Sequence, residues 1–113
     1  MLLSRVLQWK VEILNKAVEE ELLSLPKDMQ ARFLRISELL QSFGPQHVGM
    51  PHVRPLSNKL WEMRLVGREG IARALYVVAP GRRLVVLHTF IKKTQKTPRQ
   101  ALETAIGRLK EIT

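Results

Sequence analysis

Along the first part of the chain, apolar and polar residues exchange places at two different rhythms. Leu7, Trp9, Val11 and Ile13 alternate with Gln8, Lys10 and Glu12, the period of two expected of a half-buried strand. Asn15 is a good helix cap, and after it Ala17, Val18, Leu22 and Leu25 recur at helical spacing as far as Pro26. A second helical pattern places Met29, Phe33, Ile36, Leu40 and Phe43 on one side and is closed by Gly44-Pro45. Two amphipathic helices in succession predict an αα-hairpin laid across a sheet.

From Gln46 to Lys59 the rhythm lapses, and Gly49, Pro51 and Pro55 indicate a loop. A three-stranded meander follows. Leu60 to Val66 alternates, with Trp61, Met63 and Leu65 on one face and Glu62 and Arg64 on the other, and Gly67 to Gly70 turns the chain. Ile71 to Val78 forms the next strand and ends at the turn dipeptide Pro80-Gly81, and Leu84 to Ile91 completes the meander. Thr97-Pro98-Arg99-Gln100 reads as a helix start, with a capping threonine, a proline at the first helical position and a glutamine placed to reach back. The helix carries Leu102, Ala105, Ile106, Leu109 and Ile112 on one stripe. The expected fold is therefore α+β in the order β-α-α-β-β-β-α, an antiparallel sheet of about four strands with the two N-terminal helices packed on it.

Composition narrows this picture. The length of 113 residues suits one domain over residues 1–113, with a modest core that needs no covalent staples. The absence of cysteine excludes disulfides and thiolate zinc sites. The N-terminal residues are interrupted by charge and lack a cleavable apolar run, so neither secretion nor membrane insertion is expected, and the cytoplasm is the assumed compartment. The net charge of +9 is unevenly spread: residues 1–50 balance to zero, and the whole excess lies in residues 51–113. Such asymmetry points to a polyanion, foremost a nucleic acid, or to an acidic protein partner.

The cations of that second part are the candidate chemistry. Arg73 interrupts a strand that otherwise takes apolar residues on both faces, and an arginine there needs a partner. Glu62 on the neighbouring strand is one candidate. The alternative is convergence of Arg64, Arg73, Lys92 and Lys93 on a phosphate, since guanidinium forks match phosphate oxygens and lysines add point charge. His47 and His52 are read as surface residues, and Glu19, Glu20 and Glu21 as a solvated, dipole-stabilising helix face. No phosphate loop, metal-binding histidine motif or nucleophile elbow occurs, and no metal or cofactor is expected. The few aromatic residues do not match a stacking RNA-recognition sheet, and the charge-balanced helical pair does not match a helix-turn-helix reader.

Leu60-Trp61-Glu62-Met63-Arg64, Ile71-Ala72-Arg73-Ala74-Leu75-Tyr76 and Leu87-His88-Thr89-Phe90-Ile91-Lys92-Lys93-Thr94-Gln95-Lys96-Thr97-Pro98 together resemble the RelE/HigB superfamily of bacterial toxins, in particular its phage-derived, HigB-like branch. The last of these motifs is the most specific. The resemblance implies a RelE-like toxin of a toxin-antitoxin system that cuts mRNA on the ribosome without a metal, by attack of a ribose 2′-hydroxyl on the adjacent phosphate. It also implies a cognate antitoxin, a HigA-like helix-turn-helix protein. Carried onto this chain, it assigns Arg73 to phosphate binding, Arg64 to the basic position of the preceding strand, and Lys92 and Lys93 to the basic pair ending the last strand. Lys59, Lys96 and Arg99 are the further cations expected to hold RNA. Glu62 stands where RelE proper has a lysine, as a general base or as the partner of Arg73. His88 is an acid/base candidate or a hydrogen-bonded core residue. Two other readings remain: a non-catalytic RNA- or ribosome-binding protein, and an inactive toxin homologue that binds an antitoxin-like repressor.

Overall fold

The structure is a computed structural model that describes residues 9–92 and 97–113. Its elements are β1 (Lys10–Ile13), α1 (Lys16–Leu23), α2 (Lys27–Phe43), β2 (Val53–Pro55), β3 (Trp61–Gly67), β4 (Gly70–Ala79), β5 (Arg83–Lys92) and α3 (Arg99–Arg108), which tightens into a 3₁₀ turn over Leu109–Glu111. The strands form a five-stranded sheet in the order β1-β5-β4-β3-β2. β1 runs parallel to β5, and the other neighbours are antiparallel. This is the expected α+β architecture with one more strand, and with β1 parallel to its neighbour where an antiparallel sheet was expected. Val53–Pro55 lies in the stretch read as a loop, and it pairs with Trp61–Met63. Three residues ending in proline are too short for a periodic signal, and an edge strand tolerates the missing N–H.

Each face of the sheet has its own cover. Val18 and Leu22 of α1 and Met29, Phe33, Ile36 and Leu40 of α2 pack on Met63, Leu65, Ala72, Ala74, Tyr76, Leu84 and Val86. The opposite face buries Leu60, Leu75, Val77, Val85 and Leu87 beneath Ala101 and Ala105 of α3. The stripe of α3 thus lies further round than its large residues imply: Ala101 joins the buried line and Ile106 faces solvent, because two alanines let the helix approach the sheet closely. Phe43 and Ala17 are likewise exposed. For Phe43 the reason is that α2 ends at Gly44, against which the Trp9 side chain packs.

Local chemistry fixes how the helices dock. The Asn15 carboxamide oxygen accepts the Val18 N–H at 3.0 Å and caps α1, as the sequence indicates. At the start of α2, Asp28 accepts the Arg68 N–H at 2.7 Å, tying the helix to the β3–β4 turn. The approach is close enough that a Cβ on Gly67 would stand 2.8 Å from Met29 Cγ and 2.9 Å from the Asp28 carboxylate. No helix among the described residues is long and apolar enough to cross a membrane.

Candidate functional site

The face of the sheet beneath α3 also carries the candidate chemistry. Residues Ile71, Arg73 and Leu75 of β4 share one side by simple alternation, and the pairing Glu62↔Leu75 and Arg64↔Arg73 sets Glu62 and Arg64 beside them. Arg54 comes in from β2 opposite Glu62. On the other side of β4, β5 contains a bulge: Leu75 pairs with His88 and Tyr76 with Val86, so Leu87 has no opposite residue. One extra residue reverses the facing of everything after it. Unbroken alternation from Leu84 and Val86 would send His88 and Phe90 to the α1–α2 side. With the bulge, Phe90 stands opposite Arg73 and His88 opposite Leu75.

Glu62 is the centre of this arrangement. It is fully buried, at 0% exposure, and accepts hydrogen bonds from Arg54 Nε at 2.8 Å and from the Thr97 hydroxyl at 2.6 Å. Arg73 Nε lies 3.3 Å from the same carboxylate, an ion pair whose geometry is poor for hydrogen bonding, and Arg73 Nη1 is buried without a hydrogen-bond partner among the described residues. Two guanidinium groups and a hydroxyl thus converge on one buried carboxylate, the arrangement of a counter-ion. On the polar face of β3, Glu62 is therefore covered while Arg64 stays half-exposed. Thr97, expected to cap α3, spends its hydroxyl on Glu62, and α3 begins after Pro98 with no side-chain cap.

Arg73 itself is only 2% exposed. Burial lowers its pKa, Glu62 opposes that shift, and the neighbouring Arg64 and Arg54 charges add to it. Two like charges side by side with one buried counter-ion leave a net positive field on this face. Arg64 and Arg54 are half-buried and form its accessible part. Lys59 is exposed in the tight turn ahead of β3, with φ 65° following Asn58 at 58°. Arg99 is exposed at the start of α3 and pairs with Glu103 at 3.2 Å. Lys92 ends β5 opposite Ile71; its side chain, and the whole of Lys93 and Lys96, lie outside the described residues.

A second polar cluster was not legible as one. Glu21 does not sit on a solvated helix face. β1 stops at Ile13, so beyond Val86 the edge of β5 lacks a strand neighbour, and side chains satisfy its backbone instead. Glu21 Oε1 accepts the Thr89 N–H at 3.1 Å, and Arg108 Nη1 donates to the Leu87 carbonyl at 2.8 Å. The two side chains bind each other at 2.9 Å, and Glu21 also contacts His88 Nδ1 at 3.0 Å. A carboxylate only accepts, so His88 carries its proton on Nδ1. Burial pushes the Glu21 pKa up, but bonds from Arg108, the Thr89 N–H and His88 outweigh it and hold the carboxyl below its ordinary value. The spacing of Glu21, His88 and Arg108 gives no signal in the sequence, because their meeting depends on where β1 ends.

Tyr76, by contrast, is in the core on the face opposite Arg73, fully buried. Its hydroxyl lacks a hydrogen-bond partner among the described residues, and burial raises its pKa. His47 and His52 take no part, and no group of three metal-ligating side chains occurs among the described residues.

The architecture is that of the RelE toxins. The structure of a double arginine-to-alanine mutant of E. coli toxin RelE in the free state matches over 91% of this chain and 99% of its own, with TM-score 0.66 at 10% identity. The archaeal RelE-RelB complex from Pyrococcus horikoshii OT3 matches over 75% of this chain and 96% of its own, with TM-score 0.53 at 26% identity. Residues 20–110 match the family model of the phage derived protein Gp49-like (DUF891), and the chain belongs to that family. The family and the fold together place it in the RelE superfamily of toxins. No curated protein matches the chain.

Proposed function

We propose that this protein is the toxin of a type II toxin-antitoxin system, an endoribonuclease that cuts mRNA on the ribosome and is neutralised by a cognate antitoxin of the HigA-like helix-turn-helix kind. The observation that carries the reading is the pairing of Arg64 with Arg73 on adjacent strands of a RelE-like sheet, with Arg54 next to them and Glu62 as the one buried acidic side chain among the described residues. A face with surplus positive charge held by backbone register suits a phosphate whose negative charge grows in the transition state. In the proposed reaction the ribose 2′-oxygen attacks the adjacent phosphorus, the bond to the 5′-oxygen breaks, and a 2′,3′-cyclic phosphate is left. Arg64 contacts the phosphate, with Lys92 and Lys93 supplying further charge, while Arg73 adds its charge from behind it. Glu62 serves as counter-ion, not as base. His88, whose Nδ1 hydrogen-bonds Glu21, offers Nε2 for proton transfer. The ribosome supplies the remaining substrate positioning, in the cytoplasm and without a metal. Lys59 and Arg99 flank the face as RNA contacts, and Lys96, outside the described residues, is proposed as a further one.

The burial of Arg73 favours a second reading, an inactive homologue that keeps the fold to bind an antitoxin-like repressor. Primer extension on an mRNA translated in a cell-free system separates the two. Wild-type protein is expected to give discrete cuts within codons only when ribosomes are present. Arg64→Ala should reduce cutting about a hundredfold or more, the loss typical of one electrostatic donor. Arg73→Lys, which keeps the charge but loses the fork, should reduce it less. A folded, antitoxin-free wild type that produces no cuts refutes the ribonuclease.

A further inference from the structure

His52 belongs to neither hydrogen-bonded cluster, yet the sheet carries it to the edge of the arginine face. Its N–H donates to the Gly49 carbonyl at 3.0 Å, and its carbonyl accepts the Arg64 N–H at 2.8 Å. The pairing of β2 with β3 therefore runs one residue past Val53↔Met63 and sets His52 opposite Arg64, where facing side chains start about 5 Å apart. Val53 is buried on the α1–α2 side of the sheet, and Arg54 reaches Glu62 on the other. Alternation then turns His52, like Arg54, to the side of Arg64 and Arg73. One row across that face reads His52, Arg64, Arg73 and Phe90. The His52 side chain is half-buried and makes no hydrogen bond or ion pair among the described residues.

The proposed cleavage moves two protons: one leaves the 2′-hydroxyl, and one must reach the departing 5′-oxygen. His88 serves only one of these ends. On this face Arg54, Arg64 and Arg73 are guanidinium groups, which keep their protons, and Glu62 is the counter-ion. We infer that His52 is the second proton-transfer residue of the reaction, acting with His88 from the opposite side of the arginine pair. The inference rests on the ribonuclease reading above and adds the group that completes its chemistry. Neighbouring strands lie about 4.8 Å apart, so β2 and β5 hold the two histidines about 14 Å apart across the sheet, with Arg64 and Arg73 on the strands between. Two imidazoles reaching inward over that span close on one phosphodiester. One takes the 2′-hydroxyl proton as the 2′-oxygen bonds to phosphorus. The other, protonated, releases its proton to the 5′-oxygen as the bond from phosphorus breaks. Proton exchange with water then resets the pair.

The test is single-turnover cutting of an mRNA held on the ribosome, using the full chain and its His52→Gln and His88→Gln variants. The scissile bond is either ordinary or has its bridging 5′-oxygen replaced by sulfur. A thiolate leaves without a proton, so sulfur restores a variant that lacks the acid and not one that lacks the base. Each variant is expected to lose about a hundredfold or more on the ordinary bond, and sulfur to restore one of the two and not the other. His52→Ala should be as slow as His52→Gln and covers the case in which the glutamine is not tolerated. His52 variants cutting at the wild-type rate, or sulfur restoring both histidine variants or neither, overturn the inference. A wild type that never cuts removes the ribonuclease and this inference with it; a wild type that cuts while the His52 variants keep pace removes His52 alone.

Discussion

Replacing Glu62 with glutamine isolates the buried counter-ion with almost no change in shape. The side chain is inaccessible to solvent and holds Arg54, Arg73 and Thr97. Its partners do not suffer equally. Arg54 is 34% exposed at its side chain and can turn to water, and the Thr97 hydroxyl can reverse and accept from the new amide. Arg73 cannot escape: it is 2% exposed, Nη1 is already without a partner, and Arg64 stands on the next strand. Removing one member of a buried pair costs about 3–5 kcal/mol, mainly for the stranded charge. Because one partner rehydrates and another reverses its hydrogen bond, the lower end of that range is expected. For a domain of this size about 3 kcal/mol corresponds to a fall of roughly 10 °C in Tm. Urea and thermal unfolding of Glu62→Gln, Arg73→Met and the double variant measure it. If Arg73 is the stranded charge, the double variant recovers most of the loss, and the coupling exceeds about 1 kcal/mol. A loss under about 1 kcal/mol for Glu62→Gln, or strictly additive variants, would refute the reasoning. Normal stability with abolished mRNA cutting would show that Glu62 is a general base after all.

The Glu21 carboxyl is held below its ordinary value of 4.5, so its contribution to stability is fully present above that pH and is lost as the pH falls through the lowered folded value; Glu21→Gln should flatten this acid limb in urea unfolding followed at stepwise lower pH. Gly67→Ala drives a methyl against Asp28 and Met29 and should cost about 1–3 kcal/mol, with equal stability showing that α2 shifts freely. Asn15→Ala removes the α1 cap and a 2.8 Å bond to Glu111, an expected loss of about 1 kcal/mol by denaturant melt. Tyr76→Phe deletes a buried hydroxyl without a partner and should be neutral or stabilising by up to about 1 kcal/mol; a clear destabilisation would reveal a partner for that hydroxyl.

The sequence by itself determined most of the elements and the motif that leads to the family. Alternation and helical spacing mark β1, α1, α2, the β3–β5 meander and α3 because each buries a face against something, and a local period records that burial. It also determined that Arg73 needs a partner, since an arginine amid apolar strand residues has few other ways to be tolerated. Tertiary structure decided the rest. The three-residue β2, which delivers Arg54, is held by pairing with β3 and has no period of its own. The Leu87 bulge turns His88 and Phe90 onto the face of Arg73, and a bulge is a property of two paired strands that neither strand shows alone. Glu21 enters the structure because β1 ends early and leaves an N–H of β5 to be satisfied. Thr97 has no capping role because α3 starts one residue later than the sequence suggests, with Pro98 at the cap position, and its hydroxyl donates to Glu62.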